Sequence, residues 1–217
     1  MKTLAPTGAL LAIGALGCPL FVLIFLVEGM IRADYDPLRY PVSSLAIGEF
    51  GWIQSANFLM VGACFVALAI GARRVGAGTW GPRMIGLAGL GLLGAGVFTT
   101  DPVFGYPPDS PLMLAQHTIH GHFHGLFSML FFVGVPGACF VFTRRFFASG
   151  RSAWAIYSML SGIGMLAAFA LTSMGYLQNP QFMPIAGVLQ RLTIIIGMTW
   201  VTLLALTLRN SRQRPAG

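Results

Sequence analysis

The chain has 217 residues, enough for one domain or at most two. Apolar residues make up 56 % and charged residues only 9 %, against about 25 % charged in an average globular chain, and the mean hydropathy is +0.77. So little charge cannot coat a water-soluble surface. Disorder, a disulfide scaffold and a fibrous repeat are excluded by the same figures, and a polytopic membrane protein remains.

Six stretches approach the roughly 20 apolar residues that a helix needs to cross a hydrocarbon core of about 30 Å: 7–31, 53–72, 84–99, 118–142, 153–175 and 188–208. The third is short but has clear polar flanks. None alternates as a barrel strand would, so the predicted fold is all-α. We expect one six-helix transmembrane domain over residues 1–210 and a short basic tail over 211–217. The first stretch has a single leading cation, Lys2, and no small-residue cleavage site followed by polar sequence, so it reads as a true span and not a signal peptide. Cys18, Cys64 and Cys139 all lie in apolar stretches without paired spacing and read as inert thiols.

The net charge of +7 is explained by topology and not by a nucleic-acid partner, which we do not expect. Ten of the 13 basic residues fall on one side of the six stretches: Lys2, Arg73, Arg74, Arg83, Arg144, Arg145, Arg151, Arg209, Arg212 and Arg214. The other side holds Arg32, Arg39 and Arg191 together with all six acids, Glu28, Asp34, Asp36, Glu49, Asp101 and Asp109. By the excess of Lys and Arg in cytoplasmic loops, the first side and both termini are predicted to be cytoplasmic.

The glycine-rich third stretch, with Gly86, Gly89, Gly91, Gly94 and Gly96, permits close backbone approach and is expected at the centre of the bundle. Gly121 and Gly125 form a G-x-x-x-G pattern whose plain reading is helix packing. No repeat of the inverted-transporter kind is visible.

On the predicted outer side, polar residues run into the spans. Glu28 ends the first; Gln54 and Asn57 open the second; Thr99, Thr100 and Asp101 close the third. His117, His120 and His124 open the fourth, Ser173 and Tyr176 close the fifth, and Gln190 and Arg191 open the sixth. Ionisable groups near hydrocarbon usually face a bundle interior or a wet cavity, so a pocket opening outward is expected. The inner half has no deep ionisable residue. At about 100° per residue, His117, His120 and His124 share one helical face while His122 points elsewhere. His120 and His124, at i and i+4, have the spacing with which two imidazoles bind one metal. With Asp101 they would suit a divalent ion such as zinc and a bound water. The alternative is that these histidines bond carboxylates and carbonyls and hold the bundle together. Haem fits less well, since all four histidines lie on or beside one stretch.

In the first outer loop, Asp36-Pro37 and Tyr40-Pro41 favour turns. Ser43 and Ser44 read as helix caps sooner than as nucleophiles. Arg191 either binds a phosphate or carboxylate, or pairs with Glu28 or Asp101.

Together these residues resemble a known group. Tyr35-Asp36-Pro37-Leu38-Arg39 with Pro41-Val42-Ser43, then Gly51-Trp52-Ile53-Gln54, Asn57 and Phe58, look like its first loop and second helix. Thr100-Asp101-Pro102 with Gly105 and Pro107, followed by His120-Gly121, His124 and Ser128, look like its central motif; Gly187, Gln190, Arg191 and Trp200 look like its last helix. The group is the bacterial integral-membrane family filed as domain of unknown function 998. The resemblance implies six membrane helices in the bacterial cytoplasmic membrane and no settled activity. It adds weight to Asp101, His120, His124 and Arg191, and leaves His117 and His122 outside the pattern.

Three functions follow. The first is a membrane-embedded, hydrolase-like enzyme acting on a lipid or amphiphile. In it Asp101, His120 and His124 are catalytic or metal-binding, and Arg191, Gln190, Glu28, Arg39 and Asn57 bind substrate. The second is a non-catalytic bundle that binds membrane lipid or a partner protein. The third is a transporter, against which the apolar inner half argues.

Overall fold

The computed structural model describes residues 6–112, 114 and 116–213, without the side chains of 212 and 213. Lys2, Arg214 and the side chain of Arg212, with most of the tail at 211–217, therefore lie outside what is described. The described chain is six long helices: α1 (Thr7–Ile31), α2 (Gly51–Arg74), α3 (Trp80–Val97), α4 (Ile119–Ala148), α5 (Ser152–Tyr176) and α6 (Ala186–Gln213). Short 3-10 turns occupy Val42–Ala46 and Met183–Ile185.

Five segments are long and apolar enough to cross a membrane: α1, α2, α4, α5 and the stretch Met183–Ser211 that contains α6. This is a multi-pass membrane bundle. The 18-residue α3 is not among the five; it opens on Trp80-Gly81-Pro82-Arg83, which dilutes its apolar run.

Each helix packs against its neighbours in the chain, and α6 returns to α1, so the six close a ring. The expectation of a central α3 is corrected by this closure. α3 is one stave, between α2 and α4, and its glycines serve both seams. A Cβ on Gly89 would lie 2.9 Å from the Cβ of Phe65 on α2, and one on Gly91 would lie 2.9 Å from the Cβ of Leu130 on α4. Helix backbones meet that closely only where side chains are absent.

The ring has two unlike ends. At the basic end, joined by short loops, Arg83 lies over the Trp80 ring and Arg151 over Phe146 and Trp154. Arg145 Nη2 donates to the Gly76 carbonyl at 2.7 Å. Aromatic rings and cations in such a layer suit a membrane–water interface. Just inside it the interior is filled by Trp200, Phe142, Phe65 and Leu204, all buried. Trp200 Nε1 donates to Ser158 Oγ at 3.0 Å, so even the indole N–H is satisfied. Leucines such as Leu16, Leu90 and Leu160 point outward, exposed, as a lipid-facing surface requires. Cys18 and Cys139 are buried and Cys64 half-buried, all three as free thiols.

Candidate functional site

The acidic end is roofed by two loops, 32–50 and 98–118, and beneath them the ring encloses a cavity of about 570 Å³. That volume lies within the range of about 300–1,000 Å³ typical of small-molecule sites. Every helix contributes to its wall. Phe21 comes from α1, Phe58 from α2, Leu92 and Ala95 from α3, and Phe131 and Phe132 from α4; Phe169 comes from α5, and Ile194 and Met198 from α6.

The cavity is polar at one end only. Along α4, His124 and Ser128 lie nearer the loops and Phe131 and Phe132 deeper. Along α5, Tyr176 and Ser173 precede Phe169 in depth, and along α6 Gln190 lies above Ile194 and Met198. These positions recur at i, i+4 and i+8, so each helix presents a single stripe that changes from polar to apolar towards mid-bundle. Among the described residues no Lys, Arg, Asp or Glu lines the space.

The ionisable residues singled out in the sequence are mostly engaged elsewhere. Asp101, buried in the loop after α3, accepts from Thr118 Oγ1 at 2.6 Å and Thr118 N at 3.0 Å, and meets His117 Nδ1 at 3.0 Å. Burial alone would push its carboxyl up, but the bonds from Thr118 and His117 outweigh that and hold it below the ordinary aspartate range. Thr118 also caps α4 by accepting from Gly121 N at 3.0 Å. Gly121 is where the Asp101 carboxylate comes against α4, and any side chain there would collide with it. Gly125, by contrast, has open space before it. The G-x-x-x-G pair is thus a carboxylate seat and a piece of cavity wall, not a helix–helix contact.

His124 is buried and its Nδ1 lies 2.8 Å from the Phe98 carbonyl oxygen and 3.2 Å from that of Ala95. His120 is exposed and packs edge-on against the Phe98 ring, with centroids 5.7 Å apart. Among the described residues no three His, Cys, Asp or Glu side chains are placed to hold a metal ion. The proposed Asp101–His120–His124 ligand set is therefore not assembled. α4 begins at Ile119, so His117 precedes the helix, and the face it was expected to share with His120 and His124 does not exist.

Arg191 pairs with neither Glu28 nor Asp101. Its Nη1 donates to the carbonyls of Tyr40 at 2.9 Å and Gly187 at 3.0 Å, and its Nη2 donates to Tyr35 Oη. This stitches the first outer loop to α6. Burial pushes the Tyr35 hydroxyl up to about 12, with Arg191 opposing. Glu28 is held by Arg32, one turn further on, at 2.8 Å. Arg32 also donates to the Leu45 and Ile47 carbonyls. Asn57 donates to the Phe21 carbonyl and to Gln54 Oε1. Arg39 lies over Tyr40 and Phe104. Gln190 accepts from Val42 N at 2.8 Å and also reaches the cavity.

Of the expected site residues, then, His124 and Gln190 line the cavity and the others surround or roof it. His117, Ser128, Ser173 and Tyr176 line it and were not assigned to the site from sequence. Tyr176 and Ser173 carried a signal, being polar groups at the end of an otherwise apolar helix.

Ring and cavity together define a class: a multi-pass helical membrane protein with an internal pocket that no Lys, Arg, Asp or Glu lines among the described residues. The chain belongs to the family described as protein of unknown function DUF998, whose model matches residues 15–207. No curated protein and no solved structure matches it.

Proposed function

We propose that this protein is a six-pass protein of the cytoplasmic membrane, with both termini cytoplasmic, that binds an amphiphilic molecule in the cavity beneath its extracytoplasmic loops. One observation carries the binding function: a cavity walled by all six helices that grades from His124, Ser128, Ser173, Tyr176 and Gln190 at the loop end to bare hydrocarbon and aromatic rings at mid-bundle. A polar rim over an apolar depth is complementary to a head group with a chain. The sixth span is α3, which packs between two helices of spanning length. The orientation rests on the basic residues at one end of the ring.

Binding is favoured over hydrolysis because the groups that would perform the chemistry are committed to other bonds: Asp101 to Thr118 and His117, His124 Nδ1 to Phe98, and Arg191 to backbone carbonyls. It is favoured over transport because large buried side chains fill the interior towards the basic end.

The test is native mass spectrometry of detergent-purified protein. Wild type should carry an apolar adduct near one per chain, and Gly125→Phe and Ser128→Phe, which push a ring into the cavity, should lose it while keeping the wild-type Tm. Bare wild-type protein, or equal adducts on all three proteins, would overturn the proposal.

A further inference from the structure

We infer that the cavity opens sideways into the outer leaflet between α4 and α5, and that its ligand is a membrane lipid whose acyl chain enters by that route. This rests on the binding function and orientation proposed above and names the source of the ligand.

The seam between α4 and α5 is closed over only part of its length. Starting from the basic end, Thr143 Oγ1 donates to the Ala155 carbonyl at 3.4 Å. A Cβ on Gly162 would lie 3.1 Å from that of Cys139, and the Phe132 and Phe169 rings stack with centroids 4.4 Å apart. These residues form one stripe along each helix, in steps of four and seven. The same steps, continued, reach Ser128 and Gly125 on α4 and Ser173 and Tyr176 on α5. Those four residues line the cavity instead of sealing the seam. Beyond the Phe132–Phe169 stack, no hydrogen bond or ring contact joins α4 to α5 among the described residues.

The other five seams are held at this end. Asn57 donates to the Phe21 carbonyl at 3.1 Å between α2 and α1, and His124 Nδ1 meets the Phe98 carbonyl oxygen at 2.8 Å between α4 and the end of α3. A Cβ on Gly96 of α3 would lie 2.9 Å from the Ser55 carbonyl oxygen on α2, and one on Gly175 of α5 would lie 2.7 Å from the Ala186 Cβ on α6. A Cβ on Gly29 of α1 would lie 3.7 Å from Arg191 Nη2 on α6. Overhead, a chain entering through the roof would have to part the buried Tyr35, Phe104 and Tyr106.

The unsealed stretch lies at hydrocarbon depth. Gly125 stands 20 residues before Arg145 of the basic end, about 30 Å at about 1.5 Å per residue, which is the thickness of a bilayer core. Phe132 is about 10 Å deeper than Gly125. Met129, in the same stretch, lines the cavity and is 45 % exposed; Leu177, where α5 ends, also lines it and is 81 % exposed. An enclosed space could not expose a side chain that far, so cavity and outer surface are continuous there. A chain passing in from the bilayer leaves hydrocarbon for hydrocarbon, and its head group stays beside Thr100, His117 and Gln178, the polar lining at the loop end.

The experiment places the full chain in phosphatidylcholine nanodiscs with one of three probes, each carrying a diazirine at the end of an alkyl chain. They are tetradecanol, a phosphatidylcholine, and a phosphatidylethanolamine whose head bears a long polyethylene glycol. Attachment sites are mapped by peptide mass spectrometry. The polymer cannot pass the loops, yet a chain that enters sideways leaves it outside, so all three probes should label Phe131, Ile194 and Met198. Met129→Trp, which narrows the opening, should cut deep labelling by the polymer-headed lipid severalfold. Leu90→Trp, on the lipid-facing surface of α3, should leave it unchanged. Both exchange one exposed apolar side chain for another, so the fold should be retained. Deep labelling by tetradecanol that is lost with the polymer-headed lipid, or labelling by that lipid indifferent to Met129→Trp, would overturn entry between α4 and α5 while leaving a binding cavity. Absence of deep labelling by all three probes would overturn the binding function as well.

Discussion

His124 on α4 donates its Nδ1 proton to the carbonyl oxygen of Phe98, 2.8 Å away at the end of α3. Phe98 follows the last residue of its helix, where carbonyls have no partner further along the chain. The imidazole therefore closes one helix while it lines the cavity between others. His124→Ala should lower stability by about 1–3 kcal/mol, the cost of leaving a buried carbonyl unmet. Thermal unfolding in detergent checks this; an unchanged Tm would mean that the bond carries no weight.

Asp101 gives the molecule an acid limit. Its carboxyl titrates below the ordinary value of 3.8 because Thr118 and His117 favour the charged form. In that window the unfolded chain binds the proton and the folded chain does not, so stability rises with pH through it. The stabilisation is complete above the ordinary value and is lost as the pH falls through the lower, folded one. Asp101→Asn should cost about 1–3 kcal/mol at neutral pH and flatten this part of the stability–pH curve. Denaturant titrations across the acid range would show it. Parallel curves for the two proteins would remove Asp101 as the cause.

Two glycines one turn apart should respond oppositely. Gly121→Ala forces a methyl group against the Asp101 carboxylate and should destabilise by about 1–3 kcal/mol. Gly125→Ala meets open space and should be neutral or stabilising by a few tenths of a kcal/mol up to about 1. Equal losses of Tm at the two positions would contradict the placement of α4.

Orientation is open to labelling. In a chain whose native cysteines are replaced by alanine, Ser110→Cys, in the loop between α3 and α4, should react with an impermeant maleimide on intact cells. Ser149→Cys, at the basic end, should react only after permeabilisation. The reverse pattern would place the termini and the basic end outside.

The spans were legible because long apolar runs between charged loops admit few alternatives. Their order in the ring was not, since Gly89 and Gly91 permit close packing on any partner, and only the return of α6 to α1 decides which helix lies where. Within the site, helical periodicity does not reach His117, which lies one residue before the N-cap Thr118, where the backbone is extended. Arg32 stands four residues after Glu28, a spacing that brings side chains together on a helix, and it is this local pair, not one across helices, that forms. Tyr176 gave away its polarity but not its isolation. That its hydroxyl has no partner among the described residues depends on where α4 and α6 end up, which no local pattern encodes.

The most direct measurement of the central claim is photo-crosslinking in nanodiscs with tetradecanol carrying a diazirine at the end of its chain, the sites of attachment mapped by peptide mass spectrometry. Occupancy of the cavity should place adducts on Leu92, Phe131, Ile194 and Met198, which line its apolar depth. Adducts confined to outward-facing side chains such as Leu16, Leu90 and Leu160 would mean that the molecule only borders the bundle, and would contradict the claim.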